Sequence, residues 1–505
     1  MTNQLKYVLL FAVFLLLMQL TACNKGDEPS PDPEEEVILS VDNSSLSFVA
    51  EGGTQEIAIS SNVIWKLQYE ADSWAKPSLQ STKGNATVTI TATENETTAE
   101  RQTTFQLTAA DAEAITITIN QEAGEEAVVV EEPELEDFIE PDNTDMRSIT
   151  SMELSAEMGI GWNMGNSLEA IILNDGILSG NETSWGNAII TKQLVDSIKK
   201  AGFNTIRLPV SWSHQFDDEA TYDISYEWKL RVEEVVNYIL DNDMYVIMNI
   251  HWDGGWLDHP FYENQDELNE RQEIMWKQIA KFFRDYDDHL LFAGTNEVHV
   301  DGDYSDPSLE NVEVQNSFNQ TFVNTVRATG GRNSYRHLVV QTFNTNITQG
   351  INYFEVPEDN IEDRLHVEVH FYDPYQFTLD ANSGVYLWGE SNAGSTAHSG
   401  WGDEEWIDDI FGQVKTHFVD QGYPIILGEY AASLRSNLSG AAYDQHIESR
   451  NHYLNYVTKT ALKNDMVPVY WDNGHTGDTG SGLFNRADGS VAHPDALEAI
   501  ISAKE

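Results

Sequence analysis

Residues Thr191–Trp212, TKQLVDSIKKAGFNTIRLPVSW, hold one helix-like pattern followed by one strand-like run, and the same pair of patterns recurs through the C-terminal part of the chain. From Thr191 to Ala201 the apolar residues fall at helical spacing beside a charged face, and Thr205–Val210 is a short apolar run. Comparable runs lie near Met158–Asn166, Tyr245–His251, Leu290–Glu297, His337–Phe343, Leu365–His370, Pro424–Glu429 and Pro468–Trp471. Helix-like stretches such as Tyr226–Asp241, Glu270–Asp285 and Val312–Thr329 stand between them. Strand and helix alternating in this way, eight times over, predict an α/β fold, a (β/α)8 TIM barrel, in which reactive groups gather at the C-terminal ends of the strands.

At 505 residues the chain is too long for that barrel alone. From Val37 to Ala123 it carries short alternating runs, among them Glu56-Ile57-Ala58-Ile59, Ala86-Thr87-Val88-Thr89-Ile90 and Ile115-Thr116-Ile117-Thr118-Ile119. This period of two predicts a small all-β, immunoglobulin-like sandwich over 37–125. Trp65 and Trp74 are read as core fillers, which makes the module a spacer in preference to a sugar-binding platform. Two acidic stretches, 23–36 and 126–146, have the composition of linkers and leave 147–505 for the barrel.

At the N-terminus Lys6 precedes an apolar run, Tyr7–Leu20, that ends in Leu20-Thr21-Ala22-Cys23. The run falls short of the ~20 residues of a membrane span and polar sequence follows at once, so residues 1–22 read as an export signal. The ending resembles a bacterial lipobox, which implies a lipidated Cys23 and a protein anchored in the bacterial cell envelope; the outer membrane is the expected site, the acidic Asn24–Glu28 stretch resembles surface-export signals, and the membrane face stays open. Cys23 is the only cysteine, which excludes an intramolecular disulfide and any cysteine-based metal site or nucleophile. Acidic residues outnumber basic ones 83 to 28, and the formal net charge of −55 repels nucleic acid. With 13 Trp and 20 Tyr, flat faces for stacking sugar rings are plentiful.

Nearly every predicted barrel strand ends in a polar residue: Arg207, His251, Asn296 with Glu297, His370 with Tyr372, Glu429, and finally Trp471. A carboxylate at the end of a buried strand is costly unless paired, and two facing one pocket are the minimum equipment for cleaving an acetal. One must be protonated and the other ionised, so their surroundings should push the two pKa values apart.

The barrel segment resembles glycoside hydrolase family 5, in the branch of endo-β-1,4-glucanases and xyloglucanases. The matching motifs are Gly161-Trp162-Asn163-Met164-Gly165-Asn166-Ser167-Leu168-Glu169-Ala170, Glu182-Thr183-Ser184-Trp185-Gly186, Gly202 through Trp212, Asn249-Ile250-His251, Asn296-Glu297, His370-Phe371-Tyr372 and Leu427-Gly428-Glu429-Tyr430. The resemblance implies a retaining endo-hydrolase of β-linked plant polysaccharide, with Glu297 as acid/base and Glu429 as nucleophile. It also implies that Arg207 and Tyr372 hold the nucleophile, Asn296 the sugar 2-hydroxyl, His251 and His370 hydroxyls or the acid, and Trp471 the sugar face, with Asn166 and Trp185 supporting the substrate. Loop residues Trp252, Trp256, Trp388, Trp401 and Trp406 are further candidates for outer sugar subsites. Val298 stands where many members have proline and Trp252 where many have a second histidine. The sandwich resembles BACON-type modules through Gly52-Gly53, Ser60-Ser61-Asn62, Trp65, Trp74, Asn95, Arg101 and Gln121.

Glu297-x-His299-x-Asp301 has ligand-like spacing, but Asp301 falls beyond the predicted strand end, and no metal is expected. Gly159, Gly161 and Gly165 depart from G-x-G-x-x-G, so no nucleotide cofactor is expected either. A mannanase or xylanase of the same fold, and a polysaccharide-binding protein without turnover, are the alternatives; the mark of the latter, a lost carboxylate, is missing. Nothing in the pattern demands more than a monomer.

Overall fold

The computed structural model describes residues 36–504 apart from 72, 96 and 125–131. The export signal, Cys23 and the first acidic linker through residue 35 lie outside the described residues. The chain divides into two compact units, with the boundary between residues 130 and 131.

The first unit is the expected β-sandwich. One sheet orders Leu39–Val41, Gly53–Ser61, Ala86–Ala92 and Ala75–Pro77; the other orders Ser45–Phe48, Ile115–Gln121, Arg101–Ala109, Ile64–Gln68 and Ser81–Lys83. Alternate residues Ile57, Ile59, Val88, Ile90, Phe105, Leu107, Ile117 and Ile119 meet in one core. Trp65 is wholly buried there and donates its Nε1 hydrogen to the Gly84 carbonyl at 2.8 Å. Trp74 packs against the same core under the Arg101 guanidinium, 4.6 Å from its ring centre. Arg101 in turn donates to Gln121, whose amide ties the Val49, Ala50 and Thr93 carbonyls. Both tryptophans are therefore occupied in holding the module together.

In the second unit, β1 (Gly161–Met164), β2 (Thr205–Leu208), β3 (Tyr245–Asn249), β4 (Leu290–Ala293), β5 (Leu338–Asn346), β6 (Leu365–His370), β7 (Ile425–Tyr430) and β8 (Met466–Asp472) pair in parallel and close on themselves. Successive side chains alternate between two cores. Tyr245 and Ile247 of β3 join Leu291, Val339, Ile426, Val467 and Val469 in the barrel interior, while Val246 and Met248 pack with the surrounding helices. The helix-like stretch from Thr191 to Ala201 is a helix, Lys192–Ala201, burying Leu194, Val195 and Ile198 and stopped by the left-handed Gly202 at φ 111°.

The pairing of β6 with β7 slips by one residue, Val369 facing Leu427 but His370 facing Glu429. Gly428 is the extra residue of this bulge, which turns Glu429 to the same side as His370.

Two features depart from the sequence reading. Helix Ser151–Met158, opened by a capping box between Thr150 and Glu153, begins the barrel and sends Leu154 and Met158 into its interior core. The first strand accordingly starts at Gly161, not at Met158. The described part of the second acidic stretch, 132–146, is not a free linker. Its carboxylates meet cations of the barrel helices: Glu132 with Lys229 at 2.6 Å, Asp137 with Lys277 at 2.7 Å and Lys281 at 2.9 Å, and Asp145 with Arg332 at 2.8 Å. Ile139 adds a backbone bridge to Gly330, where a β-carbon would come 1.8 Å from the Ile139 carbonyl oxygen.

Candidate active site

A cavity of about 470 Å³ opens at the C-terminal ends of the barrel strands. His251, Asn296, Glu297, His370, Tyr372, Glu429 and Trp471 line it, and Arg207 lies buried beneath. Asn296 and Glu297 follow the end of β4, which stops at Ala293. His370 closes β6, Glu429 stands in β7 and Trp471 in β8.

The two carboxylates differ in their surroundings. Glu429 takes one hydrogen bond on each oxygen, Oε1 from Arg207 Nη1 and Oε2 from the Tyr372 hydroxyl, both at 2.9 Å. Its side chain is 7% exposed, against 39% for Glu297. Glu297 Oε1 meets His370 Nδ1 at 2.5 Å. An oxygen of Glu297, a ring nitrogen of His370 and an oxygen of Glu429 all lie within 4.8 Å of one another.

Arg207 also donates Nη2 to Asn296 Oδ1 at 2.7 Å and Nη1 to Asn163 Oδ1 at 3.0 Å. Its Nε lies 2.7 Å from Glu368 Oε1. The same Glu368 oxygen faces His370 Nε2 at 3.2 Å, and Glu368 Oε2 accepts from Gln341 at 2.7 Å. Asn163, Gln341 and Glu368 were not singled out from the sequence. The signal for Glu368 was present in Leu365-His366-Val367-Glu368-Val369-His370, where every second residue of a buried strand is polar.

Burial raises the Glu429 carboxyl above its ordinary value, against the pull of the His370 and Arg207 charges. Burial acts on Glu297 in the same sense, but the hydrogen bond and charge of His370 outweigh it and hold that carboxyl low. Burial depresses His370 as well, yet the carboxylates of Glu429, Glu297 and Glu368 push it up to about 9. The two values are thus driven apart, as the chemistry requires, but in the opposite sense to the expectation. His370 Nδ1 and Glu297 Oε1 are joined by a hydrogen bond, and the opposed shifts of the two groups favour the proton on the ring. His251 stays neutral, depressed far below its ordinary value by burial and by the Arg207 and His370 charges. It stacks on Trp471, ring centres 5.8 Å apart and planes within 6°.

Asn166 and Trp185 are not among the lining residues. Asn166 makes the turn after β1 at φ 57°, its amide donated to the Glu169 carboxylate. Trp185 is exposed beside a hairpin, Ile171–Asn174 with Ile177–Gly180, to which its ring nitrogen donates at 2.9 Å. Of the loop tryptophans, Trp406 lines the cavity, pinned by a hydrogen bond to Asp373, and exposed Trp401 meets it edge-on at 6.0 Å. Trp252 is exposed, whereas Trp256 and Trp388 are core residues. Tyr304, Asn344 and Asn346 are lining residues that the sequence reading missed, being loop or strand-end positions without a repeating pattern. His299 is not a lining residue; its Nδ1 lies 2.7 Å from the Glu297 carbonyl oxygen and 3.6 Å from Asp258.

Residues 172–477 match the family described as cellulase (glycosyl hydrolase family 5), and residues 64–122 match the BACON family, described as a putative N-terminal binding domain. A xyloglucan-specific endo-β-1,4-glucanase of Bacteroides ovatus is 44% identical over 496 residues, 97% of this chain and 95% of that one. Endoglucanase A of Paenibacillus barcinonensis is 38% identical over 378 residues, 72% of this chain and 92% of that one. The solved structure of a Bacteroides ovatus family 5 xyloglucanase with a XXXG heptasaccharide superposes with a TM-score of 0.71 at 44% identity, covering 93% of this chain and 99% of that one. A closed eight-stranded barrel, two carboxylates at its C-terminal mouth and likeness along nearly the whole chain converge on one assignment: the protein is a glycoside hydrolase and belongs to glycoside hydrolase family 5.

Proposed function

We propose that the protein is a retaining endo-β-1,4-glucanase whose preferred substrate is xyloglucan. The carboxyl separation carries the mechanistic part. Retaining enzymes place the pair about 5 to 5.5 Å apart, whereas inverting enzymes leave roughly 6.5 to 9.5 Å for a water. An oxygen of Glu297 within 4.8 Å of an oxygen of Glu429 fits the closer, retaining spacing.

Glu429 is the nucleophile, because Arg207 and Tyr372 occupy one lone pair on each oxygen and hold the carboxylate in place without consuming the others. In the first step an oxygen of Glu429 bonds to the anomeric carbon while the glycosidic bond breaks. The proton shared by Glu297 and His370 passes through Glu297, the more exposed carboxyl, to the departing oxygen. The ester removes the Glu429 charge, one of those that keep the proton on His370, and so lowers the ring's hold on it. In the second step Glu297 takes a proton from water, the hydroxide bonds to the anomeric carbon and Glu429 leaves as carboxylate. Asn296, its oxygen committed to Arg207, offers its amide nitrogen to the sugar 2-hydroxyl, a contact that strengthens in the transition state. Trp471, backed by His251, supplies the stacking floor.

Likeness over nearly the full length to a xyloglucan-specific relative supports a branched β-1,4-glucan as substrate. Unbranched and mixed-linkage β-glucans are the second reading, favoured by the endoglucanase relative. The test is a panel of xyloglucan, barley β-glucan, carboxymethylcellulose, mannan and xylan, followed by reducing ends and product sizes beside Glu297→Ala and Glu429→Ala. Xyloglucan shortened fastest through intermediate sizes, with both variants inactive, is the expected result. Faster cleavage of mannan or xylan, or binding without cleavage, contradicts it. The lipid anchor at Cys23 belongs to the same proposal, supported by the apolar run and the lone cysteine that ends it, and places a monomeric enzyme on the bacterial envelope.

A further inference from the structure

Glu368 is a fully buried carboxylate at a position where a barrel needs none for packing. One of its oxygens touches two members of the catalytic group at once, Arg207 Nε at 2.7 Å and His370 Nε2 at 3.2 Å. The other accepts from Gln341 Nε2 at 2.7 Å, and the side-chain Oε1 of Gln341 itself accepts from the Thr295 backbone N–H at 2.9 Å, two residues before the acid. The backbone is shaped around this carboxylate. A β-carbon at Gly428 would lie 2.0 Å from Glu368 Oε1, so any other residue before Glu429 would have to displace this carboxylate.

We propose that Glu368 is a positioning residue for the hydrolysis. It keeps the His370 proton on Nε2, so that Nδ1 is the atom presented to Glu297, and it aligns the Arg207 fork on Glu429. A carboxylate behind an imidazole selects the tautomer, orients the ring and stabilises its protonated form. Here one side chain does this and also anchors the guanidinium, coupling the acid's proton supply to the seat of the nucleophile.

The groups facing His370 are Glu297 beyond β4, Glu368 on its own strand, Glu429 on β7 and Arg207 on β2, with His251 beyond β3. The three carboxylates favour the charged ring and Arg207 opposes it. Removing the Glu368 charge therefore weakens the ring's hold on its proton, and the Glu297–His370 pair empties at lower pH.

This inference rests on the assignment of Glu297 as acid and Glu429 as nucleophile, and its test is separable from that assignment. In Glu368→Gln the alkaline limb of kcat/KM should move down by about one pH unit or more. The same variant should lose at least about ten-fold in kcat with little change in KM. An alkaline limb that stays in place, whatever the loss of activity or thermal stability, overturns the proposal and leaves Glu368 a structural residue. The second readout needs neither the variant nor turnover. In ¹⁵N-histidine-labelled wild-type enzyme, the His370 ring, assigned by its absence in His370→Asn, should keep Nε2 protonated through pH 8. A ring that titrates near 6.5, or carries its lone proton on Nδ1, overturns the proposal even if the enzyme hydrolyses glucan as assigned.

Discussion

Arg207 reaches Glu429, Asn296, Asn163 and Glu368 from one buried guanidinium. Lysine in its place would bring a charge but no fork, so Arg207→Lys should lower kcat by about 100-fold or more while the protein stays folded; wild-type turnover would contradict the assigned role. The proton of the Glu297–His370 pair sets the alkaline limit. His370 is raised above its ordinary 6.5 to about 9, so the protonated pair persists below that value and is lost as the pH rises through it. The kcat/KM profile should accordingly fall near pH 9, and a fall centred near 6.5 would show that the ring is not held charged. The residues that meet at the cavity, Arg207, His251, Asn296, Glu297, His370, Tyr372, Glu429 and Trp471, could be read from strand-end chemistry, whereas Asn166 and Trp185 stand outside its lining. Glu368 escaped since it sits inside a strand, two residues before its end, where only the partners on other strands reveal what it holds. The inverted shifts of Glu297 and Glu429 also lie in contacts across strands, which spacing along a chain does not encode.

All eight strands were foreseen, but their ends moved. The run Leu290–Glu297 becomes a strand only to Ala293, because Asn296 and Glu297 leave the sheet to reach the cavity, and helix Ser151–Met158 occupies residues before the predicted first strand. The slip between β6 and β7 was beyond reach of periodicity, which assigns Gly428 and Glu429 to opposite faces and cannot show a bulge that turns the second inward. Its test is Gly428→Ala. The added methyl meets a carboxylate pinned by Arg207, His370 and Gln341, and overpacking of this kind costs about 1–3 kcal/mol. Both the thermal midpoint and kcat should drop, and a variant with unchanged midpoint and rate would show that Glu368 moves freely. The segment 132–146 was misread for the opposite reason. Its composition forbids a core, yet a charged irregular segment needs none when lysines and arginines of the neighbouring helices await it.

Across the molecule the sandwich and the barrel each carry a core of their own. Trp65→Ala should therefore destabilise the first unit by about 3–5 kcal/mol and leave kcat on soluble glucan unchanged, as read by two unfolding transitions and one assay. Within the barrel five histidines, three buried and two partly buried, are held low by burial, with His214 and His446 depressed to about 4, His366 to about 3, and His251 and His337 well below 6.5. Unfolding lets all five take up protons below 6.5, so stability should fall as the pH drops from 6.5 toward 4. The most direct test of the central claim, retention through a glycosyl-enzyme on Glu429, is proton NMR of the anomeric signals while the enzyme cleaves a xyloglucan oligosaccharide. The account predicts that the β-anomer of the new reducing end appears first and the α-anomer grows in only by mutarotation. An α-anomer formed first would contradict it, since that outcome is the mark of direct attack by water with inversion.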